Sequence, residues 1–241
     1  MTTSLNTSLN SLNLLDALKK CLKLDYWSLE GLSAHATTRS PSSKVAVIYG
    51  DNASGKSFFF KKLIRTLKEL VPTSHIQEIF LASMSMRTGS SDAQTFMYPR
   101  ESKMSTGDNS VRAIKGCFYN GKSRSHPVWL FFDEPDMGLS SRYASAMGCY
   151  LAQEVNALPD HIKGVCIVSH SGELLDALLA NLNEQPHTIG LATTASLSAF
   201  IEQQRAAEAS VEDLLNLGKS ASDTSRRIYQ LEDKLKLATN N

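Results

Sequence analysis

Val45-Ala46-Val47-Ile48-Tyr49, followed at once by Gly50-Asp51-Asn52-Ala53-Ser54-Gly55-Lys56-Ser57, decides how this chain is read. The first five residues form a short, continuously apolar run rich in β-branched side chains, of the kind buried on both faces of a parallel sheet. The next eight satisfy G-x-x-x-x-G-K-[ST], and a helical pattern follows over about 56–71. A glycine-rich bend between a buried strand and a helix lets successive backbone N–H groups turn inward, and the helix N-terminus adds a partial positive charge. Such a cradle fits phosphate oxygens, with Lys56 reaching the terminal phosphates of a nucleotide and the Ser57 hydroxyl ligating Mg2+. The nucleotide-binding set is therefore Gly50, Asp51, Asn52, Ala53, Ser54, Gly55, Lys56, Ser57 and Phe58. A plain Gly/Ser turn capping an ordinary helix is the alternative, and the apolar strand directly before the motif weighs against it.

Outward from this point the chain alternates strand and helix. Further buried-strand candidates are 76–82, 127–132, 164–168 and 187–191, separated by helical patterns at about 108–119, 140–157 and 171–183. That alternation predicts an α/β fold of the P-loop type, a mostly parallel sheet flanked by helices. Upstream, 14–24 reads as a short amphipathic helix, 25–36 as a strand or extended segment, and 37–43 as a turn. Residues 84–107 are polar and broken by Gly and Pro, which predicts an irregular insertion. Residues 1–13 read as a disordered leader, 14–195 as one ATPase-type domain, and 196–241 as a C-terminal helical hairpin broken around 217–223, where Gly218 stops one helix and Ser222 or Asp223 caps the next.

The second chemical element is Val128-Trp129-Leu130-Phe131-Phe132-Asp133-Glu134-Pro135, an apolar strand ending in two carboxylates. At the carboxyl end of a parallel strand beside the phosphate loop, Asp133 is placed to bind magnesium through water. Glu134, one residue on, points toward the γ-phosphate, where it polarises the attacking water as a general base. An acidic turn closing a strand is the plainer reading of the same residues.

Composition bounds the rest. The 241 residues are 42% hydrophobic and 20% charged, with 13 Gly and 7 Pro, which excludes collagen-like, coiled-coil-only and wholly disordered chains. Lys+Arg 25 against Asp+Glu 24 leaves a net charge of +1, so charge nominates no nucleic-acid partner. Basic residues at 61, 62, 65 and 68, at 115, 122 and 124, and near the end are interleaved with acids and read as solvated helix faces. The four cysteines, Cys21, Cys117, Cys149 and Cys166, lie far apart without a CxxC pair, as free buried thiols do. No run approaches the ~18 apolar residues of a membrane span, and no signal pattern opens the chain, so the expectation is a cytoplasmic protein with no membrane insertion.

The order of phosphate loop, Asp133-Glu134-Pro135, Gly138-Leu139-Ser140, and a strand ending Val168-Ser169-His170 resembles the ATP-binding cassette (ABC) class of ATPases. The resemblance implies ATP and Mg2+ as ligands, Asp133 on the magnesium side, and a catalytic group of Glu134, Lys56 and His170, the last as switch residue at the γ-phosphate. It implies that 136–140 is the D-loop, and that two copies sandwich two ATP molecules, each donating a signature peptide to the other's nucleotide. The candidate signature is Met104-Ser105-Thr106-Gly107-Asp108; Ser105 and Gly107 match, while the middle glycine and final glutamine do not. A plain Ser N-cap explains Ser105 equally simply.

The Q-loop glutamine, a metal-side residue in the class, is assigned to Gln94, with Gln77 the weaker choice. Tyr26 or Trp27 either stacks on the adenine or belongs to the core. Only about thirty residues separate the phosphate-loop helix from the signature, so the helical subdomain with which transporter cassettes grip a membrane partner is largely missing. The likeness is therefore to the soluble branch, the chromosome-maintenance and recombination-repair ATPases and the small ATPases of phage and defence systems. Two alternatives stay open: the nucleotide-binding subunit of a membrane transporter, and a nucleotide-gated regulator of a partner protein with little turnover.

Overall fold

The computed structural model describes residues 13–29, 32–71, 77–83, 94–95, 103–206 and 210–239. Seven strands form one sheet: β1 Ala34–Thr37, β2 Val45–Tyr49, β3 Glu78–Ser83, β4 Gln94–Thr95, β5 Val128–Asp133, β6 Ile162–Ser169 and β7 His187–Leu191. Their order is β1-β7-β2-β6-β5-β3-β4, and every pairing is parallel except β1 with β7. The helices are α1 Leu14–Leu22, α2 Lys56–Leu70, α3 Thr106–Lys122, α4 Ser141–Asn156, α5 Gly172–Asn181, α6 Leu197–Ala206 and α7 Val211–Thr239. The fold is thus α/β, with the sheet flanked by helices.

Strand alternation splits the core into two layers. Val45, Val47, Phe80, Leu130 and Phe132 face α3, α4, α5 and α6, while Ala46, Ile48, Leu81, Trp129 and Phe131 face α1 and α2. Because the central strands are apolar on both sides, they read as continuous hydrophobic runs. Close helix contact on the first face needs a glycine: a Cβ on Gly148 of α4 would meet Leu174 O and Leu178 N of α5.

Three expectations are corrected. Residues 25–28 form a 3-10 turn, Asp25–Ser28, and only Ala34–Thr37 of the following segment is a strand, at the sheet edge against β7. The turn is pinned by side-chain contacts: Tyr26 packs with Leu32 and Phe58, and the Trp27 indole N–H donates to Cys21 O at 2.7 Å. The break at 217–223 is absent, since α7 runs unbroken through Gly218. A mid-helix glycine costs only about 1 kcal/mol, and α7 is held further along by Ile228, Leu231 and the Glu232–Lys62 ion pair at 2.8 Å. Lys62 is therefore not on a solvated face but partly buried beneath α7. Residues 1–12 of the expected leader and most of the 84–107 insertion lie outside the described residues; within the insertion, Gln94–Thr95 pairs with β3, and α3 begins at Thr106. Among the described residues no helix is long and apolar enough to cross a membrane.

Candidate functional site

Parallel pairing brings the carboxyl ends of β2, β6, β5 and β3 to one edge, with Tyr49 beside Ser169, and Asp133 between Val168 and Ser83. The phosphate-loop candidate, both acids and His170 follow directly from these strand ends. In open α/β sheets this edge is where ligands bind.

The loop curls by three left-handed residues, Gly50 (φ 148°), Ala53 (φ 62°) and Gly55 (φ 92°). Gly50 is required there: a Cβ would sit 2.5 Å from Leu191 O and 2.8 Å from Ser54 Oγ. Gly55 caps α2 without a side-chain hydrogen bond, whereas Asn13, Ser105 and Ser171 supply one to α1, α3 and α5. No acid stands in the first turn of α2, so its N-terminal donors and partial charge are left to an anion. Lys56 is 5% exposed, and its Nζ donates to Gly50 O at 2.9 Å and Asp51 O at 2.7 Å. Burial pulls the Lys56 amine below its usual range, while Glu134, Asp133 and Asp51 oppose that shift by favouring its charge. Ser57 is exposed on the first turn, and Phe58 lies half-buried beside Tyr26 and Trp27.

Asp133 is 1% exposed and accepts from Ser83 Oγ at 3.0 Å. Glu134 adopts a left-handed backbone (φ 49°) just past the strand, its N–H still donating to Val168 O at 2.9 Å. A non-glycine residue held there stores strain of order 1–3 kcal/mol. Its Oε1 lies 3.1 Å from His170 Nδ1. That hydrogen bond, aided by the His170 and Lys56 charges and opposed by burial, holds the Glu134 carboxyl below the ordinary carboxylate range. An ionised carboxylate can only accept, so His170 Nδ1–H is the donor.

Ser105 is the N-cap of α3: its Oγ accepts from Asp108 N at 3.1 Å and donates to Asp108 Oδ2 at 2.8 Å, while the residue stays exposed. Gly107 is buried against the turn after Pro135, where a Cβ would come 2.8 Å from Gly138 O, and Ser110 Oγ donates to Met137 O at 2.8 Å. Ser105–Gly107 and 136–140 are thus one packed unit. The backbone of Gln94 pairs with Phe80, three residues before Ser83, or about 10 Å back along the sheet. Gln77 precedes β3 at the opposite edge. Tyr26, 7% exposed, and Trp27 are core residues, their rings engaged with Phe58 and Phe59 at 5.1 and 4.8 Å.

Three contributors escaped the sequence reading. Ser83 ends β3 one residue beyond the expected strand and holds Asp133; an apolar strand closing in Ser was its only signal. Ser169 Oγ donates to Asp136 at 3.4 Å and accepts from Ser171 N at 3.0 Å, tying β6 to the turn after Pro135. Gln204 of α6 donates to Asp51 Oδ1 at 2.6 Å, and nothing in the sequence pointed to it.

The residues fit a nucleoside triphosphate with Mg2+. The two carbonyls that now satisfy Lys56 mark where its charge is held in the loop, and Asp133 and Ser57 are the oxygen-bearing side chains that would hold the metal. Among the described residues no cluster of three or more His, Cys, Asp or Glu is built to hold a metal alone. Mg2+ characteristically takes one or two carboxylates plus substrate phosphates and water, so this sparse donor set suits it.

The fold and this edge define the class of protein in coarse terms, an α/β chain with a glycine-rich loop facing paired acids. By sequence no known protein family and no curated protein matches it. Among solved structures it is similar to EssC (ATPases 2 and 3) from Geobacillus thermodenitrificans, at 11% identity and a TM-score of 0.34, over 69% of this chain and 34% of that one. The chain thus spans about one third of that protein's structure, and its own sheet order defines its fold class.

Proposed function

We propose that this chain binds Mg2+·ATP and hydrolyses it, as an ATPase of the ABC type. The observation that carries the reading is that Lys56, Asp133, Glu134 and His170, drawn from three different strand ends, interact at one sheet edge. The loop 50–57 cups the phosphates with its backbone N–H groups, and Lys56 exchanges its carbonyl partners for phosphate oxygens. Mg2+ on Ser57 and Asp133 would offset the charge of the phosphates. Glu134, kept ionised, takes the proton from the attacking water, and His170 fixes the orientation of its carboxylate.

The proposal extends to an ATP-dependent homodimer in which Ser105 and Gly107 of one copy complete the site of the other. The exposed Ser105 at the N-terminus of α3, backed by the buried Gly107–Gly138 contact, supports this. The short chain between α2 and α3 favours the branch without a transporter's helical subdomain; repair-like and defence-like roles belong to that branch.

Phosphate release is the test. Release with Mg2+·ATP is expected to be lost in Lys56→Ala and to rise more than linearly with protein concentration. Absence of release at any protein concentration, with or without DNA, would overturn hydrolysis and favour a nucleotide-gated regulator.

A further inference from the structure

The phosphate loop has a second neighbour, α7. Past residue 224 this helix is anchored by apolar contact: Ile228, 9% exposed, and Leu231 pack with Tyr26 and Leu32. Glu232 accepts from Lys62 Nζ at 2.8 Å, and the same amine donates to Tyr26 Oη at 3.1 Å. Before residue 224 the character changes. The stripe that continues the anchored face, at steps of three and four residues, carries Asp213, Asn216, Ser220 and Thr224. Together with Leu217 these side chains line a crevice of about 400 Å³ whose other walls are 51–54 of the phosphate loop and Ala192, the left-handed residue after β7.

A helix face turned toward its own protein is ordinarily apolar. Here, Leu217 apart, it is polar over the stretch that crosses the loop, and the space opposite is open and within the range of small-molecule sites, roughly 300–1,000 Å³. Ser54, on the crevice wall, is 5% exposed, and its Oγ has no hydrogen-bond partner among the described residues. An unpartnered buried hydroxyl costs about 1–3 kcal/mol, a cost that a polar ligand atom reaching it would relieve.

Position says which part of the ligand. Asp133, Glu134 and His170 lie on the β6–β5 side of β2, and the crevice opens on the β7 side. A triphosphate whose reacting end faces the acids runs away from them toward β7. Two carboxylates, Asp51 and Asp213, border the crevice and would repel phosphate there. Asn216 offers both a donor and an acceptor to a base edge, and Asp213, Ser220 and Thr224 suit ribose hydroxyls. Tyr26 and Trp27 are already engaged in the core and under α7.

We propose that the crevice between the phosphate loop and α7 receives the base and ribose of the nucleotide, and that the polar stripe of α7 reads them. This rests on the proposed phosphate site. The test is calorimetry of the full chain with two probes, Mg2+·ATP and inorganic tripolyphosphate, on the parent protein and two variants. Ser220→Trp fills the crevice from an exposed helix position; Asn216→Ala with Thr224→Ala removes the polar contacts while favouring the helix. Both variants are expected to lose about tenfold or more in ATP affinity while tripolyphosphate binds as before. Unchanged ATP affinity in both variants overturns the inference and leaves the phosphate site standing, as does equal weakening of both probes. If the parent protein binds neither probe, the phosphate-loop reading itself fails, and the crevice with it.

Discussion

Glu134→Gln isolates the chemistry from the fold. The amide keeps the length and shape of the side chain, so His170 Nδ1–H still has an oxygen to donate to at 3.1 Å, and the left-handed backbone at φ 49° is no better or worse suited. What disappears is the charge. A positioned general base contributes about 10²–10⁴ in rate, so turnover should fall by that factor, equivalent to about 3–5 kcal/mol of barrier. Stability changes far less. Replacing a charge-assisted hydrogen bond by a neutral one loses about 1 kcal/mol, or roughly 2–4 °C in Tm for a chain of this size. ATP affinity should hold, because the substitution leaves the phosphate loop, Lys56 and the Asp133 charge beside it in place. Single-turnover phosphate release, with calorimetry in parallel, separates the two effects. Size-exclusion chromatography of the variant with saturating Mg2+·ATP should reveal a trapped dimer. Undiminished phosphate release would refute the base assignment, and a variant that stays monomeric under saturating nucleotide would remove the sandwich.

His170→Ala should raise the Glu134 pKa, because the hydrogen bond that depresses it is gone while burial remains. The depressed native pKa means that this carboxylate stabilises the fold above its unfolded pKa, and that the contribution is lost as pH falls through the native value. In the variant the acid limb of residual activity should move to higher pH, and the acid-side loss of stability should shrink, because burial then outweighs the Lys56 charge that still favours ionisation; an unmoved acid limb contradicts the pairing. Thiol reactivity should be confined to Cys149 in the native protein, since Cys21, Cys117 and Cys166 are buried and burial raises their thiols, Cys21 to about 12. Titration with an aromatic disulfide should therefore find one fast thiol natively and four after denaturation. Gly148→Ala gains about 1 kcal/mol of helix propensity, but its Cβ meets backbone atoms of α5 that cannot rotate away. Overpacking of this kind costs about 1–3 kcal/mol, so a lower urea midpoint is expected, and a raised one would contradict the close α4–α5 contact.

The sheet was legible wherever burial is two-sided. Val45–Tyr49 matches its expected bounds because an unbroken apolar run between turn residues has no competing pattern of that length, and His187–Leu191, although it opens on His and Thr, matches its bounds too. Strand order was not legible: that β6 lies between β2 and β5, so that His170 meets Glu134 across 36 residues of chain, depends on crossovers that leave no local mark. The same holds for Ser83, which reaches Asp133 only through the β3–β5 register. Gly218 misled in the opposite way. Its local cost is small beside the contacts of Ile228 and Glu232, so tertiary anchoring carried α7 through it. Tyr26 and Trp27 were ambiguous because stacking and core aromatics share one sequence signature, and only the packing beneath α7 assigns them to the core.

The most direct measurement is a crystal structure of the chain with Mg2+ and a non-hydrolysable ATP analogue. The γ-phosphate is expected within hydrogen-bond reach of Lys56 and one water, about 5 Å, from the Glu134 carboxylate. A triphosphate bound elsewhere, or seated in the loop with its γ-phosphate turned away from Asp133 and Glu134, would contradict the account.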